Sequence, residues 1–506
     1  MSNNMQNLSA SLQKPDAGAD REAVEIYRRT LAFLLSAVVR AALPYRSLYI
    51  CHSMGKAYYY TFTHGPKISG DEIIKLKSEM QRLIEQDIKI YTRSISYGEA
   101  FEYFTKNEQN DSAMLISQRG NAFIKVNQLN DFMDLFNGPL LASTGLLSLF
   151  DVSLYHEGFL LRFPSVYDKN RFEDFPESPQ IFAAYEEYKK LGRITGVRSA
   201  CHINKFISDG SIKEFIRTNE AFQEKKLAVI ANEIYERRGS VKFILIAGPS
   251  SSGKTTTAKR LSVHLKVLGI EPIQVSLDDY YLHPGKAPKD EYGQPDLESI
   301  EALDVEYLNK QLMDLLDGKA VTLPSFDFRT CVRAEGKTIR LGERREALVI
   351  EGIHGLNDAL THLIKPENKF KIYVSVLTQI NIDDHNRVSA RDNRLLRRIV
   401  RDNQFRGMSA ARTLAMWDNV QRGAEKYIFK FENSADAVFN SALDYEIPVL
   451  KCYAEHLLRG IIPETPEHNE ARRLLKFLDN FNTLPPHFVP GISILREFIG
   501  GSDFKY

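Results

Sequence analysis

The sequence predicts an α/β fold: a doubly wound parallel sheet, preceded by a separate α+β domain. Three observations carry this. Short apolar runs at 243–247, 273–277, 347–350 and 372–376 alternate with amphipathic helical stretches, the pattern of a parallel sheet covered on both faces. The first run ends in a glycine-rich loop that leads straight into a helix predicted over 254–268. Upstream of about residue 165, strand-like and helix-like pieces mix without that alternation.

The elements follow in order. Residues 1–20 are rich in Asn, Ser, Gln and Asp and read as a disordered tail. A helical pattern runs over 21–43. Its most apolar part, 31–43, is short and carries Arg40, so it reads as an amphipathic helix rather than a membrane span. Strands are expected at 48–51 and 58–62, and a helix at 71–86 with Ile74, Leu76, Met80, Leu83 and Ile84 as its apolar residues. Pro, Asp and Glu crowd residues 165–186 and suggest a linker. A long helix at 211–237 repeats Leu227, Ile230, Ala231 and Ile234 at helical spacing. The helix after the glycine-rich loop aligns Ala258, Leu261, Leu265 and Leu268 on one face. The expected partition is a tail and helix over 1–44, an α+β domain over 45–165, a linker with helices over 166–240, the parallel-sheet domain over 241–455 and a helical extension over 456–506.

Composition narrows the function classes. At roughly 150 residues per domain, 506 residues imply two or three domains. Lys plus Arg (66) nearly cancels Asp plus Glu (65), which argues against a chain-wide nucleic-acid or membrane footprint. Any basic site must be local. Cys51, Cys201, Cys331 and Cys452 form no C-x-x-C pair, so reduced thiols and a cytoplasmic location are expected. The opening residues lack the apolar stretch of a signal peptide. Association of copies stays open.

Gly248-Pro249-Ser250-Ser251-Ser252-Gly253-Lys254-Thr255 fits the pattern G-x-x-x-x-G-K-[ST], and Thr256 follows it. A polyphosphate needs several backbone N–H donors converging on it, so glycines must let the chain curl closely, and the next helix adds its positive end. Lys254 can then reach the β- and γ-phosphates of ATP, and the Thr255 hydroxyl can ligate Mg²⁺. The run Ser276-Leu277-Asp278-Asp279-Tyr280-Tyr281 closes the second strand, where ligands of open parallel sheets bind. Asp278 can accept a proton from an attacking hydroxyl, while Asp279 reads as a turn or cap residue. Glu351 ends another buried strand and can hold the Mg²⁺ shell. Seven arginines lie between Arg387 and Arg406. Arg394, Arg397, Arg398 and Arg401 share one helical face, suited to neutralising a transferring phosphoryl group. The plainer reading is a solvated face paired with Asp383, Asp392 and Asp402.

These motifs resemble the uridine kinase and phosphoribulokinase family of P-loop kinases. The matching pieces are GPSSSGKTT (248–256), SLDDYY (276–281), LPSFDF (323–328), VIEGIHGLND (349–358) and RLLRRIVRD with FRG (394–407). The resemblance implies that Asp278 is the base, that Lys254 contacts phosphate, and that Thr255 with Glu351 holds Mg²⁺. It places Tyr281 and Asp327 at a nucleoside-like acceptor. The arginine helix would be a lid, with Arg398 and Arg401 acting on the phosphoryl group and Arg394 on the substrate. One position departs from the family: Cys331 stands where uridine kinases carry a histidine, so the acceptor's identity stays open. A sugar phosphate, a pantothenate-like acid, or an RNA-linked regulatory role switched by ATP are the alternatives.

Residues 48–162 resemble the second additional domain of threonyl-tRNA synthetase, through His52-Ser53, Tyr58-Tyr-Tyr-Thr-Phe62 and DLFNGPLLASTG (134–145). Of that domain's metal-type residues only His52 is kept; Lys56, Phe136 and Leu140 occupy the others. Phe and Leu cannot ligate a metal, so the resemblance implies a retained fold without the editing chemistry.

Overall fold

The computed structural model describes residues 19–505, apart from 55–56, 64, 165–170, 173–176, 290–292, 294–295, 328–331 and 343–345. Helix α1 (Ala19–Ala42) opens the N-terminal module. Strands β1 (Leu48–Met54) and β2 (Ala57–Phe62) follow, then α2 (Gly70–Glu85), β3 (Tyr91–Ser96), α3 (Tyr97–Lys106) and α4 (Asn110–Ser117). Strands β4 (Phe123–Leu129), β5 (Phe132–Leu135), β6 (Asp151–Tyr155) and β7 (Gly158–Arg162) complete it. They form two antiparallel sheets, ordered β1-β2-β7-β6 and β3-β4-β5.

Helix α1 buries Leu31, Leu34, Leu35 and Val38 in the core of the first sheet. Among the described residues no helix is long and apolar enough to cross a membrane. Ser69 and Glu72 start α2 with reciprocal side-chain caps, which satisfy two orphan N–H groups. Its buried face is Ile73, Leu76, Met80, Leu83 and Ile84, while Ile74 is 67% exposed. This corrects the expected face. At 3.6 residues per turn, position 73 lines up with 76, 80, 83 and 84, and position 74 rotates outward.

Helices α5 (Pro179–Thr195), α6 (Ala200–Ser208) and α7 (Ile212–Glu236) lead into the second unit. The expected linker is therefore shorter than 165–186. Pro179 begins α5, a position where its missing N–H costs nothing. Next come β8 (Phe243–Ala247), α8 (Lys254–Val267), β9 (Glu271–Ser276), α9 (Val305–Leu316) and the hairpin β10 (Val321–Asp327) with β11 (Val332–Ile339). Strands β12 (Glu346–Glu351) and β13 (Lys369–Ser375), helices α10 (Ala390–Arg406) and α11 (Ala410–Tyr427), and strand β14 (Ala437–Asn440) follow. The chain then adds α12 (Glu446–Arg459), α13 (His468–Leu478) and the short α14 (Arg496–Ile499).

Five of these strands form one parallel sheet, ordered β14-β13-β8-β12-β9. Every residue of β8 is buried, as a strand covered on both faces requires. The chain visits β9 and β12 on one side of β8, then β13 and β14 on the other. That reversal opens a crevice at the carboxyl end of β8.

No strand of the module pairs with the parallel sheet among the described residues. The two units nevertheless share packing. One continuous apolar core runs from Ile95, Phe104 and Val126 through α6 and α7 to Ile244, Val349 and Val374. The stretch 378–389, between β13 and α10, carries polar stitches across the seam. Asn381 donates to the Ile50 carbonyl at 2.9 Å, the Ser112 N–H donates to Asp384 at 2.8 Å, and His385 pairs with Asp134 at 3.3 Å. His52 is 4% exposed, stacks on Tyr185 of α5, and is held at a pKa of about 3 by burial. Phe136 lies under the ammonium groups of Lys125 and Lys476, and Leu140 is buried. Lys56 and Cys331 lie outside the described residues.

The seam has a pH signature. Burial would lower the His385 imidazole, but Asp134, Asp384 and Asp383 outweigh it and lift the pKa from 6.5 to about 9. A raised folded-state pKa gives stability that is complete below pH 6.5 and is lost as pH climbs to about 9. Thermal unfolding of wild type and His385→Gln across this window should show the wild-type advantage shrinking by on the order of 1–3 kcal/mol. A constant gap would disprove the assignment.

Candidate active site

The loop after β8 is shaped by backbone sterics. Ser251 (φ 60°) and Gly253 (φ 85°) both adopt left-handed conformations, which turn successive N–H groups toward one point. A Cβ on Gly248 would stand 2.2 Å from the Val374 carbonyl oxygen, so only glycine lets the loop leave the sheet there. The buried Ser251 and Ser252 hydroxyls have no hydrogen-bond partner among the described residues. Lys254 Nζ reaches back to the Pro249 carbonyl at 3.4 Å. Burial lowers its pKa, opposed by the charges of Glu351, Asp278 and Glu497. Unsatisfied donors, a helix start and a part-buried ammonium together suit a polyphosphate.

Sheet register builds the next corner. Glu351 stands opposite Ser276 of β9 on one side and Ile246 of β8 on the other. Its Oε1 accepts from Thr255 Oγ1 at 3.2 Å and from Ser276 Oγ at 3.1 Å. Burial raises the Glu351 pKa, and the Asp278 charge raises it further. Asp278 sits in the 3-10 turn Leu277–Tyr280, its N–H donating to Ser276 Oγ at 3.3 Å. Thr255 and Glu351 offer the hard oxygen ligands that Mg²⁺ takes. Asp279 also lines the cleft, but its carboxylate is engaged: it accepts the Phe326 N–H at 3.0 Å and ties the turn to β10.

The arginines of α10 divide into two sets, which corrects the expectation of one phosphate-facing stripe. Arg397 is fully buried, bound to Glu446 at 2.6 Å and to Ser441 O at 2.8 Å. Arg394 donates to the Ser250 carbonyl at 3.0 Å and lies over Trp417. These two brace the loop from behind. Arg398 donates to Ser250 Oγ at 2.7 Å, and Arg398, Arg401 and Arg406 all pair with Asp402 and line the cleft. Of the other expected acidic partners, Asp392 pairs with Arg473, and Asp383 accepts from Asn386 and Asn137.

The resulting cleft has a volume of about 1750 Å³. It brings together Lys254, Thr255, Asp278, Tyr281, Glu351 and the outer arginines. Tyr281 donates to the Leu297 carbonyl at 3.0 Å and packs at a tilt on Phe326. Asp327 is exposed at the end of β10 and does not line the cleft; Ser325 and Phe326 do. Sequence reasoning passed over many lining residues, Ser276, Glu298 and Glu497 among them. Ser276 lies within a motif already singled out. Glu298, whose Oε2 is buried without a partner among the described residues, had only the unremarkable segment PDLES around it. Glu497 lies 241 positions beyond the loop residue it bonds, and no local pattern marks it.

Residues 243–448 match the model of the phosphoribulokinase/uridine kinase family. A uridine kinase of Ligilactobacillus salivarius is 33% identical over 174 residues, 34% of this chain and 72% of its own length. A uridine kinase of Macrococcus caseolyticus is 32% identical over 181 residues, 36% of this chain and 78% of its own. The N-terminal region matches a threonine–tRNA ligase of Syntrophomonas wolfei, 31% identical over 134 residues, 26% of this chain. The chain spans only 21% of that ligase's length.

Three variants separate phosphate contact from support. Lys254→Ala should keep its circular dichroism spectrum and lose on the order of a hundredfold or more in ATP-dependent turnover; a folded variant with normal turnover would remove the loop assignment. Arg397→Ala should cost about 3–5 kcal/mol of stability, because it strands Glu446 as a buried charge. Arg401→Ala should cost less, because Arg398 and Arg406 still pair with the buried Asp402. Chemical denaturation of both checks the split.

Proposed function

The chain belongs to the phosphoribulokinase/uridine kinase family, and we propose that it transfers the γ-phosphate of ATP to a hydroxyl of a nucleoside-like small molecule. The observation that carries this is the convergence of Lys254, Thr255, Glu351 and Asp278 at the carboxyl ends of β8, β9 and β12. A site that merely bound ATP would need the loop and the metal ligands. It would not need a second carboxylate facing the open cleft.

The residues divide the work. Loop N–H groups and Lys254 hold the β- and γ-phosphates. Thr255 and Glu351 would hold Mg²⁺, which when bound offsets charge on the phosphate oxygens. Asp278 takes the proton as the acceptor oxygen bonds to the γ-phosphorus and the bond to the β–γ bridging oxygen breaks. Arg398 and Arg401, which line the same cleft, stabilise the charge spread over the transferring group. Tyr281 and Phe326 supply an aromatic wall against which a flat base can rest. Arg394 supports the loop rather than the acceptor. Free Cys51, Cys201 and Cys452 suit a reducing, cytoplasmic setting.

An acceptor that already carries a phosphate is the second reading. Lys337 of β11 lines the same cleft and would favour it. Incubation with ATP and a panel of nucleosides and sugar phosphates, with the products resolved, decides between them.

Asp278→Asn keeps size and polarity but cannot take the proton. It should bind ATP normally and lose about 10²–10⁴-fold in kcat. Asp279→Asn keeps an oxygen for the Phe326 N–H and should lose far less. Steady-state kinetics of the pair tests this; equal losses would sink the role of Asp278.

A further inference from the structure

The segment 490–505 reaches the phosphate loop from the far end of the chain. Thr256 is the third residue of α8. The first backbone bond of that helix is Thr257 N–H to Gly253 O, so the Thr256 N–H has no place in the helical ladder. Glu497 of α14 takes it: Glu497 Oε2 accepts from Thr256 N at 3.0 Å and from Thr256 Oγ1 at 2.6 Å. A carboxylate oxygen thus sits at the positive end of α8, where a phosphate oxygen would sit. The backbone N–H groups of such loops cradle the α- and β-phosphates, and Thr256 ends this set.

The placement is firmly built. Ile494, Leu495 and Phe498 are fully buried. A Cβ on Gly253 would lie 2.7 Å from Ile494 Cγ2, so the segment lies directly on the loop. The Arg397 guanidinium lies over the Phe498 ring, and Lys259 Nζ donates to the Lys505 carbonyl at 2.6 Å. Arg496 staples the segment internally through the Val489 and Gly500 carbonyls. Undocking the segment would expose three buried apolar side chains to water. Swinging one glutamate costs much less.

We infer that Glu497 is a built-in competitor of the nucleotide: its carboxylate caps the phosphate loop in the free enzyme, and ATP binds by turning that side chain away while 490–505 stays docked. This rests on the phosphate-loop reading above. It makes the extension a brake on nucleotide affinity rather than an appendage.

Calorimetric titration of the full chain with Mg·ATP tests it, using wild type, Glu497→Gln, Glu497→Ala and Lys254→Ala. Both Glu497 variants should bind ATP roughly three- to thirtyfold tighter, the worth of a charge at a helix start. Their nucleotide-free melting temperature should fall, because the cap is lost. A contact that only supports the loop would lower melting temperature and ATP affinity together, and equal or weaker ATP binding overturns the inference. If Glu497→Ala fails to fold, the isosteric Gln variant carries the test. If wild type binds no ATP, or Lys254→Ala binds as well as wild type, the phosphate-loop reading itself falls and this inference with it.

Discussion

Backbone N–H groups converge on an anion only if a chain leaves a strand and enters a helix through residues with positive φ. Here Ser251 and Gly253 supply that curl, and Gly248 allows the loop to pass the Val374 carbonyl without a clash. The rest of the second unit is arranged around this constraint. The sheet places β8 at its centre, so the loop opens into the crevice between β12 and β13. The register of β12 then sets Glu351 beside Ser276 and within reach of Thr255. Helix α10 presses on the loop from outside, through Arg394 and Arg398 on Ser250.

Charge at this site is used in two ways. Arg397 and Glu446 form a fully buried pair, and such pairs add little net stability against apolar replacements. What the pair offers is position, since Arg397 also bonds Ser441 and leans on Phe498. The outer arginines line the cleft and share the buried Asp402, which holds them in place without neutralising the wall they form. A chain with a net charge near +1 can therefore still gather a concentrated basic surface in one cleft.

The N-terminal module is joined to this machinery by packing rather than by strand pairing. Its second sheet shares one apolar core with α6, α7 and the parallel sheet, and 378–389 stitches the seam with buried polar pairs. That stretch leads directly into α10. His52, the one retained metal-type residue, is stacked and desolvated, with Nδ1 unpartnered among the described residues.

The sequence alone determined what depends on local chemistry. The alternation of apolar runs and helices specified the parallel sheet, because strands buried on both faces must be apolar throughout. The glycine–lysine pattern specified the loop, because few residue types tolerate its backbone angles. Asp278 and Glu351 were legible because each ends a buried strand. Tertiary structure decided the rest. Helical spacing put four arginines on one face, but only packing against Glu446 and Ser250 divided them into braces and cleft wall. Asp327 lay in a matching motif, yet the structure leaves it exposed at the end of β10, outside the cleft lining. Glu497 was invisible, since its partner is 241 residues away and no local periodicity encodes a contact at that separation.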